Sequence, residues 1–572
     1  MKNVTTNLKL HWNFYLVVFC SLLLCLFALF NVVLPGETFH WDESHHALYG
    51  IWLTKDIQAG NWDSFWQNTH HQATWPFLHS WLITTFFLIF GISYATARAA
   101  NLFIFFFVLL GIWATGKYLS KENGTWIGLL GWLFWISSAW CWSLGTQNMI
   151  EALGTILTLG AFFSLLRLVQ TKHWAWAIPL SLCLAAALVT KYNYAVLLVF
   201  PVALWAGIEI ITDFFKSSTA AAVPAPYGTI KKQFQKPRQQ FKPQPKNSLF
   251  DFGATVLFKS KLTILFKWCL IFSPLVLVFF WWFWGPESER KWALLWSIKG
   301  SVADTQGTPA AWLDFVTFYF KSLILSYPWF TLLGMAAVVG FWGSLYLPRK
   351  KETSLNLLLI FTWCALFLAT FIIRAREARF IYTIVPLIYL CAATFWVYAW
   401  KDWRLRSSQG LQKIVILLST ALVLFSVIWQ SSSPLQFFSG QKLPEGDFRG
   451  THTRKEGLSD VLDYFNQQVP LDRVVACGIS MSNLSPYTFY FHLQSRPAPV
   501  INLYSLPQVQ FSKGMYLVTI KIDPTSPCSN EVIDNSVNKW NNFIQQNIKL
   551  LKKTSEKYFS EVKLTAEVYT IK

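Results

Sequence analysis

Two carboxylates, Asp42 and Glu43, stand side by side just past the end of a long apolar run, with His45 and His46 directly after them. The same polar stretch closes on His70 and His71, then Pro76 and His79, so that six of the ten histidines of the chain fall between Leu34 and His79. A carboxylate held at the edge of an apolar layer, beside imidazoles, suits general-base work, which needs a tunable pKa and a fixed position at the substrate. The plainer reading is an ordinary polar loop. A further reading is metal binding: Asp42, His45, His46 and His71 are ligand types for Zn²⁺ or Mn²⁺, with His70 beside them, although no HExxH spacing is present.

A second group is Arg374, Arg376, Glu377 and Arg379, set between two apolar runs. Guanidinium groups bind phosphate oxygens in pairs, so this cluster suits a lipid phosphate or pyrophosphate. The alternative is an ion pair within the cluster together with lipid headgroups. Two further charges lie inside apolar runs, Glu151 and Lys191. A charge at mid-bilayer costs roughly 2.5–3.5 kcal/mol on insertion scales, which makes each a candidate for function unless it reaches an interface.

The elements that must position these residues are hydrophobic. Of 572 residues 54% are hydrophobic and only 13% charged, about half the charge of an ordinary soluble chain, roughly 25%. Mean hydropathy is positive. Apolar runs fall near 14–34, 76–93, 98–117, 125–143, 148–168, 174–212, 266–284, 322–347, 355–373, 380–399 and 412–430; most are close to the ~20 residues that cross a bilayer core. The run 14–34 is too long for a signal-peptide core and reads as a retained first span. The run 174–212 is of double length and interrupted at Thr190–Tyr194. The net charge of +19 follows from basic cytoplasmic loops and contact with anionic headgroups rather than from nucleic-acid binding. Trp281–Trp284 reads as an interfacial belt.

Lys and Arg in short loops set the orientation. The stretch 213–265, basic and rich in Pro and Gln, reads as a disordered cytoplasmic linker. Arg349–Lys351 and Lys401–Lys413 are expected on the same side. The first loop 35–75, the segment 285–312, the arginine cluster and the region after 430 are then all extracytoplasmic. Between 76 and 212 the count of spans has the wrong parity, so one segment there is re-entrant or merged. Residues 431–572 change character: Leu458–Phe465 has helical periodicity, Arg473–Ile479, Met515–Ile522 and Glu567–Ile571 read as strands, and Ile533–Leu551 as an amphipathic helix, which together describe a small α/β domain. Seven of the nine cysteines lie in apolar runs; Cys477 and Cys528 lie in this domain and could pair in an oxidising compartment.

The order of motifs resembles the GT-C superfamily of membrane glycosyltransferases, in particular the group that holds protein O-mannosyltransferases and lipid A aminoarabinose transferases (glycosyltransferase families 39 and 83). The resemblance spans roughly residues 10–400. It rests on Asp42-Glu43 after the first span, His70-His71 to Pro76-Phe77-Leu78, Ala97-Arg98-Ala99-Ala100-Asn101-Leu102, Asn148-Met149-Ile150-Glu151, Leu188-Val189-Thr190-Lys191-Tyr192, and Glu377-Ala378-Arg379-Phe380 to Pro386. It departs at Thr74-Trp75-Pro76, where such enzymes open the second helix with Pro-Pro, and in its density of histidines.

The resemblance implies an α-helical polytopic membrane protein of GT-C type, with about 11–13 transmembrane helices over 1–430 and an extracytoplasmic α/β domain over 431–572. It implies transfer of a sugar from a polyprenyl-phosphate carrier to a lipid, glycan or protein acceptor, with no metal needed for the chemistry, in a membrane of bacterial inner-membrane type. Asp42 would be the base and Glu43 its auxiliary. Arg374, Arg376, Arg379 and Lys191 would hold the lipid phosphate, and His45, His46, His70, His71, Glu151 and Glu377 would contact acceptor or sugar. A transporter or flippase of a lipid-linked or anionic solute, and a metal-dependent membrane hydrolase or transferase, are the rival classes.

Overall fold

The computed structural model describes residues 2–34, 39, 41–222, 248–297, 317–324, 331–347, 353–372, 378–406, 458–470, 475–477, 500–502, 514–523, 542, 544–547, 549–560 and 563–572. The fold is mostly helical, with a small C-terminal sheet. Helix α1 (Lys2–Ala28) ends in a π-helical turn, Leu29–Val33. The first loop is itself folded, into α2 (Trp41–Gln58) and α3 (Trp62–His71). Asn61 caps α3 by accepting from the Ser64 amide, and Asp56 of α2 accepts from Ser64 and Asn68 of α3, both at 2.7 Å, which closes the pair into a hairpin.

The chain then continues as α4 (Leu78–Phe90), α5 (Tyr94–Leu119), α6 (Gly124–Ile136), α7 (Ala139–Thr146), α8 (Glu151–Thr171), α9 (Ala177–Leu188) and α10 (Tyr192–Ala222). After residues 223–247 come α11 (Ser248–Phe283), α12 (Ser288–Ser297), α13 (Thr331–Gly343), α14 (Thr353–Phe371), a 3₁₀ turn Ala378–Ile384 and α15 (Val385–Arg406). Helices α10 and α11 therefore run further into the basic stretch 213–265 than its composition suggests, and its middle lies outside the described residues.

Among the described residues seven helices are long and apolar enough to cross a membrane: Trp12–Val33, Tyr94–Leu119, Glu151–Thr171, Tyr192–Asp213, Leu262–Phe283, Thr353–Phe371 and Arg379–Arg404. The pair α6–α7, bent by 75°, makes an eighth if taken as one span, and Leu78–Phe90, Trp174–Leu188 and Leu333–Tyr346 are shorter apolar helices. The double-length run 174–212 is broken at Val189–Lys191, between α9 and α10. The apolar run 412–430 lies outside the described residues.

Close packing of α5 on α6 is set by glycines. A Cβ on Gly116 would meet the Gly128 Cα at 2.4 Å, and a Cβ on Gly128 would meet the Trp113 carbonyl at 2.5 Å. Helix α15, with Ile388, Tyr389, Leu390 and Cys391 all fully buried, runs through the centre of the main core against α5, α6, α8, α13 and α14.

The C-terminal region holds α16 (Leu458–Gln468) and strands β1 (Val475–Cys477), β2 (Val500–Asn502), β3 (Tyr516–Ile522), β4 (Leu551–Phe559) and β5 (Leu564–Ile571) in the order β2-β1-β3-β5-β4. β1 pairs parallel with β2 and β3, and β5 pairs antiparallel with β3 and β4. The expected strands over 473–479, 515–522 and 567–571 are present, and so is the helix at 458. Most of the helix expected over Ile533–Leu551 lies outside the described residues, and at Leu551 β4 begins, whose run of Lys, Thr, Ser and Glu suits an exposed edge strand. Cys528 lies outside the described residues, and with it the expected pairing to Cys477.

Candidate active site

Five helix starts and breaks supply the charged and amide side chains of the site, one or two from each. Asp42 and Glu43 occupy the first turn of α2, where the amide ends of a helix favour negative charge. Arg98 and Asn101 come from the first turns of α5, Asn148 and Glu151 from the turn into α8, Lys191 from the break between α9 and α10, and Arg379 from the 3₁₀ turn before α15.

The two adjacent acids have different surroundings. Glu43 is fully buried. Arg98 grips it with two bonds, Nε to Oε1 at 2.9 Å and a terminal nitrogen to Oε2 at 3.1 Å. The Asn148 amide donates to Glu43 Oε1 at 2.8 Å, and the Asn148 side chain donates to the Glu43 carbonyl at 2.8 Å. Asn101 fastens the same turn by donating to the Leu144 and Gln147 carbonyls. This is the geometry of a brace between α2, α5 and α8. Asp42 is paired instead with Arg379, whose side chain keeps about a fifth of its surface open, 22%.

A second acid–base pair lies beside the first. Lys191 is 3.5 Å from Glu151 and sits over the rings of Tyr194 and Phe380. Glu151 is fully buried and its Oε2 has no hydrogen-bond partner among the described residues. The two carboxylate–cation pairs are linked through Phe380, which follows Arg379 in the 3₁₀ turn and whose ring centre lies 4.8 Å from the Lys191 ammonium. Arg374, Arg376 and Glu377 lie outside the described residues.

The histidines divide into two groups. His45 packs edge-on to Trp75, and His46 packs against Trp75 and His79. Burial pushes His45 down to about 4, against the pull of Asp42, with Arg290 and His71 adding to the depression. Burial likewise holds His46 well below the usual imidazole range. His70 and His71 contact the α11–α12 turn: His70 Nδ1 is 3.0 Å from the Lys291 ammonium, and His71 is 2.7 Å from Glu287. No group of three or more His, Cys, Asp or Glu side chains among the described residues is arranged to hold a metal ion. The metal set Asp42, His45, His46 and His71 is not assembled.

Sequence reasoning passed over Arg98 and Asn148 as partners of Glu43, although both stand in motifs it quoted. It also passed over Arg290 and Lys291. Arg290 pairs with Glu287 at 3.3 Å and bears electrostatically on His45, three residues on from Asp42 in α2. Its signal was available: an Arg-Lys pair directly after an aromatic cluster, on the side of the chain assigned to the first loop. The Trp281–Trp284 belt is likewise split, with Trp281 and Trp284 exposed and Trp282 fully buried.

No family model matches the sequence, and no curated protein matches it either. Solved structures do. The apo crystal structure of ArnT from Cupriavidus metallidurans aligns over 97% of each chain with a TM-score of 0.52 at 11% identity. The same protein bound to undecaprenyl phosphate aligns over 98% of each chain with a TM-score of 0.50 at 11% identity. The chain has the GT-C fold. A looser likeness, TM-score 0.40 at 13% identity over 82% of this chain and 62% of the other, is to the archaeal oligosaccharyltransferase AglB from Archaeoglobus fulgidus in complex with an inhibitory peptide and a dolichol-phosphate. The GT-C alignment with ArnT runs through the C-terminal sheet region as well as the helices, since it leaves almost none of the chain out. Together with the seven apolar helices, this fold makes the protein an integral membrane protein.

Proposed function

We propose that the protein is a glycosyltransferase that moves a sugar from a polyprenyl-phosphate carrier to an acceptor hydroxyl, with Asp42 as general base. The observation that carries this reading is the pairing of Asp42 with Arg379 at a junction that also holds Lys191 and Glu151. A phosphate entering the junction competes with the carboxylates for both cations. When Arg379 takes the phosphate, Asp42 is released to accept the acceptor proton. The acceptor oxygen then attacks the anomeric carbon, the carbon–oxygen bond to phosphate breaks, and its electron pair leaves on a phosphate oxygen that Arg379 and Lys191 stabilise. Attack opposite the leaving group inverts the anomeric centre.

Arg290, at the rim, supplies a third cation for the same phosphate. Glu43 acts through its brace, holding the first turn of α2 so that Asp42 faces the junction. Arg374, Arg376 and Glu377 are carried along as phosphate and acceptor contacts by their place in the chain. This chemistry needs no resident metal. The likeness to ArnT bound to undecaprenyl phosphate supports a polyprenyl phosphate as the donor carrier. The lysines and arginines gathered at the opposite helix ends support an extracytoplasmic site, with the domain 431–572 on that side and the membrane of bacterial inner-membrane type.

The test is transfer from a panel of labelled polyprenyl-phosphate sugars by purified wild type and Asp42→Asn side by side. Wild type is expected to consume a donor, and the variant to lose at least ~100-fold in rate, the scale of a general base. Full activity in Asp42→Asn, or movement of intact label across liposomes without cleavage of the sugar bond, overturns the reading.

A further inference from the structure

The turn between α11 and α12 is held to the first loop by contacts that the proposed chemistry does not use. Lys291 is fully buried. Its ammonium donates to the Pro286 carbonyl at 2.7 Å, to His70 Nδ1 at 3.0 Å and to the Trp282 carbonyl at 3.2 Å, and it lies 3.7 Å from the centre of the Trp282 ring. An ammonium has three donors, so all are engaged and none remains for a ligand. His70 must then present a bare Nδ1, with its proton on Nε2. Its ring stacks on Trp282, 5.3 Å between centroids and 18° from parallel. Trp282 in turn donates to the Tyr192 hydroxyl at 3.0 Å, which donates to the Ala73 carbonyl at 2.8 Å.

Beside this hub, Glu287 joins His71 at 2.7 Å and Arg290 at 3.3 Å. Glu287 has a φ of +59°. A non-glycine residue is unfavourable there and persists only where its surroundings hold it. The strained residue and the buried ammonium enclose the first turn of α12, and Arg290, between them, pairs with Glu287 at 3.3 Å and lies near enough to His45, three residues on from Asp42, to act on it electrostatically.

We infer that His70 is a positioning residue, which through Lys291 fixes the first turn of α12 so that Arg290 meets the phosphate of a polyprenyl phosphate. The inference rests on the proposed donor, in which Arg290 contacts that phosphate. His70 touches no reacting atom. Its part is to supply the one acceptor for Lys291 that comes from the first loop rather than from the α11–α12 turn itself.

The test is equilibrium binding of undecaprenyl phosphate to the full chain in lipid nanodiscs, so that it does not depend on knowing the sugar or the acceptor. Four variants are compared with wild type: Arg290→Ala, His70→Phe, His70→Asn and the double variant Arg290→Ala with His70→Phe. His70→Phe keeps a ring on Trp282 and removes the acceptor; His70→Asn puts an amide oxygen near the place of Nδ1. Arg290→Ala and His70→Phe are each expected to weaken binding about tenfold, and the double variant no more than either alone, because both remove the same contact. His70→Asn is expected to bind within about threefold of wild type. Unchanged binding in His70→Phe where Arg290→Ala binds weakly overturns the inference and leaves the donor assignment standing. Equal loss in His70→Phe and His70→Asn, or multiplied losses in the double variant, also overturns it. Wild type that binds no undecaprenyl phosphate overturns the donor assignment and this inference with it.

Discussion

Asp42 and Glu43 are neighbours in the chain with opposite surroundings, and single substitutions should separate them. Glu43 is an ionised group enclosed by Arg98 and the Asn148 amide; removing one partner of a buried pair leaves the other charge uncompensated, at about 3–5 kcal/mol. Glu43→Gln should therefore lower the thermal unfolding midpoint markedly, while Asp42→Asn should move it far less and remove transfer. Scanning fluorimetry of both variants in one detergent checks this, and equal midpoints would dissolve the distinction. The histidines give a second prediction. His45 and His70 are pushed from about 6.5 to about 4 by burial, His70 with the Lys291 charge adding to it. Between those values the unfolded chain binds protons that the folded chain refuses, so stability must fall as pH drops from 6.5 toward 4 and stay level above 6.5 on their account. Midpoints read from pH 7.5 to 4.5 should follow that course, and His45→Gln should flatten part of it. A midpoint unchanged down to pH 4.5 would contradict the burial of both rings. The acid pair and the histidines were legible in sequence because charge beside an apolar run is conspicuous. Which acid is the brace was not, since that depends on Arg98 and Asn148 arriving from 55 and 105 residues away.

At the scale of elements, the parity problem between 76 and 212 is answered by α4. Its first residue, Leu78, donates its amide to the Val189 carbonyl at the α9–α10 break. Just past its end, Tyr94 packs on Phe39 and Arg98 reaches Glu43. Both ends are tied to the layer that holds the site, and its 13 residues span only about 20 Å. Helix α4 packs along α2, with Gly50 admitting Ile83 and Phe87, rather than crossing. Sequence could not settle this, because a 13-residue apolar helix that covers a hairpin and one that enters a bilayer have the same composition. The break at Lys191, by contrast, was readable, since a charge and two tyrosines interrupt an otherwise continuous apolar run. The α5–α6 contact yields a prediction of its own. Gly128→Val would drive a side chain into the Trp113 carbonyl, a backbone atom that cannot swing aside, and should cost at least ~1–3 kcal/mol, the ordinary range for overpacking. Gly207, with open space around its Cβ position, is the control: Gly207→Val should leave the midpoint nearly unchanged. Similar losses at both positions would mean that helix propensity, and not the close approach of α5 and α6, decides the outcome.

Over the whole molecule, charge is divided between two ends of the helix bundle. The end opposite the site ties α5, α8 and α14 together through Gln170, which donates to the Tyr118 carbonyl and to Ser354. It holds Lys401 on Glu122, and Lys172 and Lys267 on Glu209. The Lys401–Glu122 pair is exposed and contributes little to stability; the weight of these lysines lies in topology, because lysine and arginine near span ends are retained on the cytoplasmic side. The site end carries its cations differently. Arg98, Lys191, Lys291 and Arg379 are each engaged with a carboxylate or an imidazole inside the protein, so they add little to the positive-inside count. On the proposed function, a lipid-linked donor reaches Asp42 from the leaflet at that end. Cysteine labelling decides the orientation: Asn61→Cys, on the exposed α2–α3 turn, should react with a membrane-impermeant maleimide in intact spheroplasts, and Glu122→Cys, at the α5–α6 turn, only after permeabilisation, each read against the wild-type background of native cysteines. The reverse pattern would put the Asp42 junction in the cytoplasm, where a soluble nucleotide-linked sugar is the more accessible donor, and would remove the physical reason for a cationic site at the edge of the bilayer.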